Sequence, residues 1–339
     1  MGLQIGEIIS KKEISFSDLK GKIIAVDAFN FIYQFLTTIR QPDGTPLKDS
    51  KGNITSHLSG LFYRNMKLIL ESVKLIYVFD GEAPELKNKT RESRREIRED
   101  YKEKYEKAVA EKDVERMGKY ARAEVSLDEQ KIKESKELLE AMGIAVIQAP
   151  GEGEAQASEI ARKNIAYAVA SQDYDCLMFE CPLLIQNLSL ARSRKTISGY
   201  REVFPQIIKL DNVLKELEIN QEQLICLGII CGTDYNPGGI KGLGPKKGLK
   251  VVQEYKEKQE IFKFLESNEK FEINFDWKEI YNEISKPNID KNIKIEFPEL
   301  NKDKIKEILM RYEFSEDRIE KQLEKLDELK KQAAQKTLF

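Results

Sequence analysis

Seven acidic residues recur where short apolar runs of the chain end. Asp27 closes KIIAVD, Asp80 closes LIYVFD, and Asp173 follows YAVAS, with Asp175 two residues later. Glu152 and Glu154 sit in PGEGEAQ directly after IAVIQ, and Asp234 sits in CGTDYNPGG after an apolar helical run. One Asp at a strand end is ordinarily a turn or cap residue. The same event at five separate segments does not fit that reading. Carboxylates gathered without compensation repel each other and raise their own pKa values. Hard divalent cations remove that cost, and all-oxygen ligation favours Mg²⁺, with Mn²⁺ as a substitute. Two such ions about 4 Å apart activate water and stabilise the leaving oxygen of a phosphodiester.

A second group is basic. Lys87, Arg91, Arg94, Arg95 and Arg98 share one face if KNKTRESRREIRED is helical. A solvated helix laced with ion pairs would place opposite charges at i+4. Here Arg91 meets Arg95 and Arg94 meets Arg98, which favours a face turned toward phosphates. A third group is NPGGIKGLGPKKGLKVV, with Gly242 and Gly244, then Pro245, Lys246 and Lys247. Glycines let a backbone approach a phosphate, and Pro suits the first turn of a helix whose free N–H groups attract anions. The segment reads as a helix-hairpin-helix element gripping one duplex backbone without reading sequence.

The elements positioning these groups follow from periodicity. The runs 22–27, 75–80, 144–150, 167–173 and 182–187 are short, apolar and β-branched, and read as buried strands. Segments 57–72 and 128–143 between them are helix-like, the second closing on Gly143. This alternation implies an α/β fold with a central, mainly parallel sheet flanked by helices. Such sheets bind ligands at the carboxyl ends of their strands, where the acids fall. Residues 87–125 are almost wholly polar, a helical stretch that projects from the body or is flexible. Residues 266–302 read as an irregular surface segment, and 303–331 as helical again, with Ser315 as an N-cap. The expected regions are 1–98, a polar continuation 99–125, a second α/β region 126–258 that includes the hairpin 236–252, a helical region 259–331, and a tail 332–339.

Composition narrows the function classes. The 339 residues are 41% apolar, enough for one large domain or two modest ones. The formal net charge is only −2, so nucleic-acid contact rests on local charge, an acidic site offsetting a basic surface. No apolar run reaches the roughly 18 residues of a membrane span. MGLQIGEIIS lacks a secretory pattern. The expected location is inside the cell: the cytoplasm, or the nucleus where there is one. Cys176, Cys181, Cys226 and Cys231 form two C-x4-C pairs, read as buried small hydrophobes in preference to a zinc site. His57 is the only histidine and reads as a polar residue beside an apolar helix face.

Taken together, IAVDAFNFIYQFL, LFYRN, YVFDGEAPELK, QAPGEGEAQAS, ASQDYDCL and GTDYNPGGIKGLGPKK resemble the flap endonucleases of the XPG nuclease family, archaeal members most closely. The resemblance covers nearly the whole chain. It implies a PIN-like 5′ nuclease fold with a helical arch and a helix-hairpin-helix element. It also implies 5′ flap endonuclease and 5′–3′ exonuclease activity in Okazaki fragment maturation and DNA repair. Asp27, Asp80, Glu152, Glu154, Asp173, Asp175 and Asp234 fall on the family's metal-site acids. Lys87 and Arg94 fall on its catalytic basic residues at the base of the arch, and Asp173 is counted with them. Tyr33 falls on the aromatic that stacks a substrate base, and Gly2 on the near-terminal glycine. Arg40, Arg91, Arg95 and Arg98 complete the expected DNA-contacting set, with Gly242, Gly244, Lys246 and Lys247. Gly239, Ile240 and Leu243 fall where hairpin carbonyls meet a monovalent cation such as K⁺.

The implied partners are branched DNA with a 5′ flap and, through Gln335, Leu338 and Phe339, the sliding clamp PCNA. The protein by itself is expected to be a monomer. Two departures stand out. Gly151 replaces the serine of many relatives, and the clamp motif stops before its paired aromatics, so the tail is expected to be truncated or its contact reduced. Two rivals remain: another metal nuclease of PIN type, and a non-catalytic junction or clamp adaptor. The arch and hairpin argue against a minimal PIN domain, and an adaptor has no use for seven acids.

Overall fold

The computed structural model describes residues 3–41, 44–82, 84–111, 120, 127–188, 193–196 and 199–336. Its strands are β1 (Lys12–Glu13), β2 (Ile23–Asp27), β3 (Lys74–Phe79), β4 (Ala145–Gln148), β5 (Ala168–Ala170), β6 (Leu183–Gln186), β7 (Ser193–Thr196), β8 (Gly199–Glu202) and β9 (Gln206–Lys209). Seven build one sheet in the order β1-β9-β6-β5-β2-β3-β4, and β7 pairs with β8 in a separate hairpin. From β6 to β4 the pairing is parallel; β9 is antiparallel to β6 and β1. The five apolar runs expected as strands are these five parallel strands. The other four escaped the sequence reading because β1 is two residues long, β7 and β8 are polar without an apolar alternation, and β9 has only Ile207 and Ile208 between polar ends.

The sheet is buried on both faces, as a parallel sheet must be. Alternate residues of one strand serve opposite layers. Ala25, Ile76, Val78 and Val169 pack into one core with Ile160, Leu227 and Phe262. Ile24, Val26, Tyr77 and Phe79 pack into the other with Phe31, Leu61 and Leu139. The helices used below are α1 (Ala28–Thr38), α2 (Ser56–Leu70), α3 (Asn88–Ala110), α4 (Glu129–Ala141) and α5 (Gly153–Arg162). Asp128 caps α4 by accepting from the Lys131 N–H at 2.9 Å, and Gly143 follows its end at φ +77°.

Segment 266–302 corrects the sequence reading. It contains the helix Trp277–Ser285, whose buried residues Trp277, Ile280, Tyr281 and Ile284 follow i, i+3, i+4, i+7. The Trp277 ring stacks on Phe262 at 4.2 Å. Residues 286–301 then run as a strap without helix or strand. Asp290 exchanges two hydrogen bonds with the Gln156 side chain, and the Asn301 N–H donates to the Ala141 carbonyl at 2.8 Å.

His57 has a partner that sequence distance concealed. It is fully buried, and its Nε2 lies 3.0 Å from Glu134. Burial alone would raise the Glu134 pKa, but hydrogen bonds from His57, Tyr312 and Gln130 hold it below the usual range. The cluster ties α2 and α4 to the C-terminal helices. The four cysteines are free, three buried and Cys231 half-buried. Burial pushes the Cys181, Cys226 and Cys231 thiols up to about 12.

Candidate acid-cluster site

Strands β5, β2, β3 and β4 are neighbours and run the same way, so their carboxyl ends share one edge. Asp27 is the last residue of β2 and the N-cap of α1, accepting from the Asn30 N–H at 3.0 Å. Asp80 directly follows β3, and its Oδ1 accepts from the Gly153 N–H at 2.7 Å. Glu152 is the N-cap of α5 and Glu154 lies in its first turn. Asp173 lies past β5, where the Asn30 amide donates to it at 3.0 Å. Asp175 opens the short helix Asp175–Met178 and accepts from the Leu3 N–H at 2.5 Å. Asp234 lies beyond the helix Gln221–Cys231, and its carbonyl accepts from the Thr90 hydroxyl at 2.7 Å. The strand order reverses between β2 and β5 at this edge, the point at which open α/β sheets bind ligands.

Mutual repulsion shows that these carboxylates share one field. Burial, and then Asp80 and Asp173, push Asp27 up to about 7, against hydrogen bonds from Asn30 and Ser171. Burial, then Asp27, Asp175 and Asp173, push Glu154 well above the ordinary range. Burial pushes Asp175 up to about 6, with Asp173 and Asp234 adding to the rise. Glu152 joins the group through Lys87, which pairs with its Oε1, and Tyr235, whose hydroxyl donates to its Oε2.

Oxygen-rich, buried and short of positive charge, this donor set suits a hard divalent cation. Among the described residues no three potential ligands stand around one point as a finished coordination shell. Protein donors hold the carboxylates instead: Gly153 on Asp80, Leu3 on Asp175, Asn30 on Asp173, and Lys87 with Tyr235 on Glu152. An ion would have to compete with these bonds and draw the acids inward.

The expected basic groups divide. Lys87 stands inside the acid cluster, one residue before α3. Arg91, Arg94 and Arg98 lie on α3, but their side chains fall outside the described residues. Arg95 corrects the like-charge reading at its own position: it pairs with Glu99 at 3.0 Å, the i,i+4 lacing of a solvated helix. Both partners are more than half exposed, so that pair is weak. The Arg40 guanidinium donates to the Leu36, Thr37 and Gly44 carbonyls, closing the end of α1. Tyr33 is half-buried on α1, two turns from Asp27.

The hairpin closes on glycine. Gly239 has φ +57°, and a Cβ there would stand 2.3 Å from the Ile230 carbonyl oxygen, so only glycine fits. The Ile240 carbonyl, expected to face a monovalent ion, accepts from the Leu243 N–H at 3.0 Å. Gly242 and Gly244 border open space, and Gly244 leads into the helix Pro245–Tyr255 with Pro in its first turn. Lys246 and Lys247 line a shallow cavity of about 450 Å³ beside them. Gly2, Leu338 and Phe339 lie outside the described residues; Gln335 lies in the helix Glu316–Lys336. The Gly151 departure acquires a reason: a Cβ there would stand 2.8 Å from the Asn288 carbonyl oxygen of the strap.

Three residues missed in the sequence do much of the orienting. Asn30 bonds both Asp173 and the Gln172 N–H. The Ser171 hydroxyl lies 3.1 Å from Asp27 and 3.4 Å from Glu154. Tyr235 holds Glu152. Each is within three residues of a named acid, and that proximity was the available signal.

The XPG N-terminal domain matches residues 3–101, and the XPG I-region matches residues 143–234. Sheet, acid edge and matched regions together define a nuclease of the XPG type. The likeness extends over full lengths. Flap endonuclease 1 of Pyrococcus furiosus is 47% identical over 341 residues, covering 100% of this chain and 98% of the relative. That of Hyperthermus butylicus is 45% identical over 332 residues, 96% and 94% of the two chains. The solved flap endonuclease-1 from Methanococcus jannaschii superposes with TM-score 0.75 at 39% identity, over 97% of this chain and 98% of that one. The catalytic core of Rad2 in complex with DNA substrate shares the fold, with TM-score 0.70 at 22% identity over 94% and 96%. The chain belongs to the flap endonuclease family, the structure-specific nucleases that hydrolyse DNA phosphodiesters at branched junctions.

Proposed function

We propose that this enzyme cleaves branched DNA carrying a 5′ flap, at a phosphodiester near the junction, using two Mg²⁺ ions held by the acid edge. The observation that supports this most is the shared field of Asp27, Glu154 and Asp175, whose raised pKa values mark negative charge left uncompensated at that edge. Bound there, the ions supply a nucleophilic hydroxide and charge neutralisation at the leaving oxygen. Asp27, Asp80, Glu154, Asp173 and Asp175 hold the ions, with Glu152 and Asp234 at the flank. Lys87 leaves Glu152 to steady the scissile phosphate and, with Arg94, the charge developing on it. Tyr33 stacks a base, and α3 with residues 99–125 guides the single-stranded 5′ end. The hairpin grips the duplex backbone through Gly242, Gly244, Lys246 and Lys247, with K⁺ at the Gly239, Ile240 and Leu243 carbonyls. The tail at Gln335, Leu338 and Phe339 meets the sliding clamp. Exonuclease action from a 5′ end, and roles in Okazaki fragment maturation and repair, follow from the same site. So does a place in the compartment that holds the DNA.

The test maps cleavage on a double-flap substrate with and without Mg²⁺, beside nick, gap, single-strand and RNA substrates. One cut near the 5′ flap junction, only with Mg²⁺, is expected. Asp173→Ala should bind the flap and leave it intact. Normal turnover by that variant in Mg²⁺ would sink the site assignment.

A further inference from the structure

We infer that Tyr235 is a positioning residue for catalysis, holding Glu152 with its hydroxyl and Lys87 with the face of its ring. The side chain is 9% exposed and follows Asp234 directly. Its backbone N–H donates to the Thr233 hydroxyl at 3.1 Å, which fixes where the ring starts. The hydroxyl donates to Oε2 of Glu152. Oε1 of the same carboxylate pairs with the Lys87 ammonium, which also stands 4.8 Å from the centroid of the Tyr235 ring. One aromatic side chain thus makes two different contacts with two groups of the site. Lysine is a point charge on a flexible stem, and catalysis needs it in one place. A ring face attracts an ammonium, more so where water is scarce, and Lys87 is only 17% exposed. The ring contact does not involve the carboxylate, so it does not depend on the Glu152 pair. The Thr90 hydroxyl bonds the Asp234 carbonyl at 2.7 Å, fastening the base of α3, and Lys87 with it, to the residue that precedes the ring.

This rests on the role given above to Lys87. The experiment compares Tyr235→Leu, Tyr235→Phe, Lys87→Ala and the Tyr235→Leu/Lys87→Ala double variant, by single-turnover cleavage of the double-flap substrate in Mg²⁺. Substrate binding is measured in Ca²⁺. Tyr235→Leu should slow cleavage roughly 10–100-fold while its substrate Kd stays within about 3-fold. Tyr235→Phe, which keeps the ring, should lose no more than about 5-fold. In the Lys87→Ala background, Tyr235→Leu should cost about 2-fold or less, because the residue acts through the missing lysine. A wild-type rate for Tyr235→Leu beside a slow Lys87→Ala overturns the inference alone. So does a full penalty in the double variant, or a loss carried by Kd. A wild-type rate for Lys87→Ala overturns both the inference and the role of the lysine. Should Tyr235→Leu not fold, Tyr235→Phe decides through Glu152→Gln: it must slow cleavage about 2–5-fold, and that slowing must vanish in the Glu152→Gln background; a wild-type rate or undiminished slowing overturns the inference.

Discussion

The acid edge and helix α3 are both built of charge, yet they are held in opposite ways. At the edge, apart from the local Asn30 cap on Asp27, the bonds that fix the carboxylates span the chain: Asn30 reaches Asp173 across 143 residues, and Leu3 reaches Asp175 across 172. On α3 the described ion pairs are local, Arg95 with Glu99 and Lys104 with Asp100, both i,i+4. Ile97 on the same helix is 51% exposed, so burial of apolar surface is not what holds this element in place. Thr90 and Ala108 are its buried residues among the described side chains. The fold therefore dictates where the acids stand, at a cost in repulsion. On the helix the described charges of Arg95, Glu99, Asp100 and Lys104 stand well exposed to solvent. A change at the edge should act on chemistry and on stability with opposite signs, whereas a change on α3 should act on binding and barely on stability.

The largest expected effect tests the first half of that contrast. Asp27→Asn keeps a side chain able to cap α1 and accept from Ser171 but removes one buried negative charge. Single-turnover cleavage should fall about 10³-fold or more. Melting in chelator at pH 8 should nonetheless occur at a higher temperature than for the unaltered protein, because Asp80 and Asp173 lose a like-charged neighbour. A lower melting temperature would mean that Asp27 is a structural carboxylate, and the comparison would break.

The same division explains what could be read from the sequence. The parallel strands were legible because a doubly buried strand must be a short, continuous apolar run, and most of the acids because they sit at or within a few residues of the end of one; Asp234 follows a helix instead. Their convergence required only that the strands be parallel neighbours. Partners brought together from afar were not legible. Glu134 meets His57 from 77 residues away, and neither residue type announces the other. The helix Trp277–Ser285 was obscured by surrounding Pro, Asn and Lys, although its apolar spacing was regular. Nor could the hydrogen bonds of Arg40 to three carbonyls at the end of α1 be read from its charge.

A smaller effect tests the other half. Arg91→Ala/Arg95→Ala/Arg98→Ala should weaken substrate binding about 10–100-fold at moderate salt. Its salt dependence should flatten by about 2.7 units in the slope of log K against log salt, roughly 0.9 for each phosphate that loses its arginine. The melting temperature should stay within about 2 °C, since Arg95 is 79% exposed and its pair with Glu99 is weak. Salt titrations of flap binding by fluorescence anisotropy measure the slope. An unchanged slope would make the stripe an ordinary solvated face.

The smallest effect concerns pH, and its sign discriminates. Asp27 and Asp175 stand at about 7 and about 6 in the folded chain, against an ordinary 3.8. Raised acid pKa values mean that the folded state holds protons the unfolded chain has released. Their contribution to stability is full below the unfolded value and is lost as pH rises through the folded values, between about 4 and 7. Without metal, the edge should thus grow less stable across that window. Mg²⁺ binds the deprotonated carboxylates, so its stabilisation should run the other way. The gain in melting temperature should be near zero at pH 5 and about 4 °C at pH 8 at saturating Mg²⁺. No comparable gain should appear in Asp27→Asn. An equal gain at both pH values would place the ion on groups that titrate far below this range, away from the buried edge and out on the exposed acids of the surface.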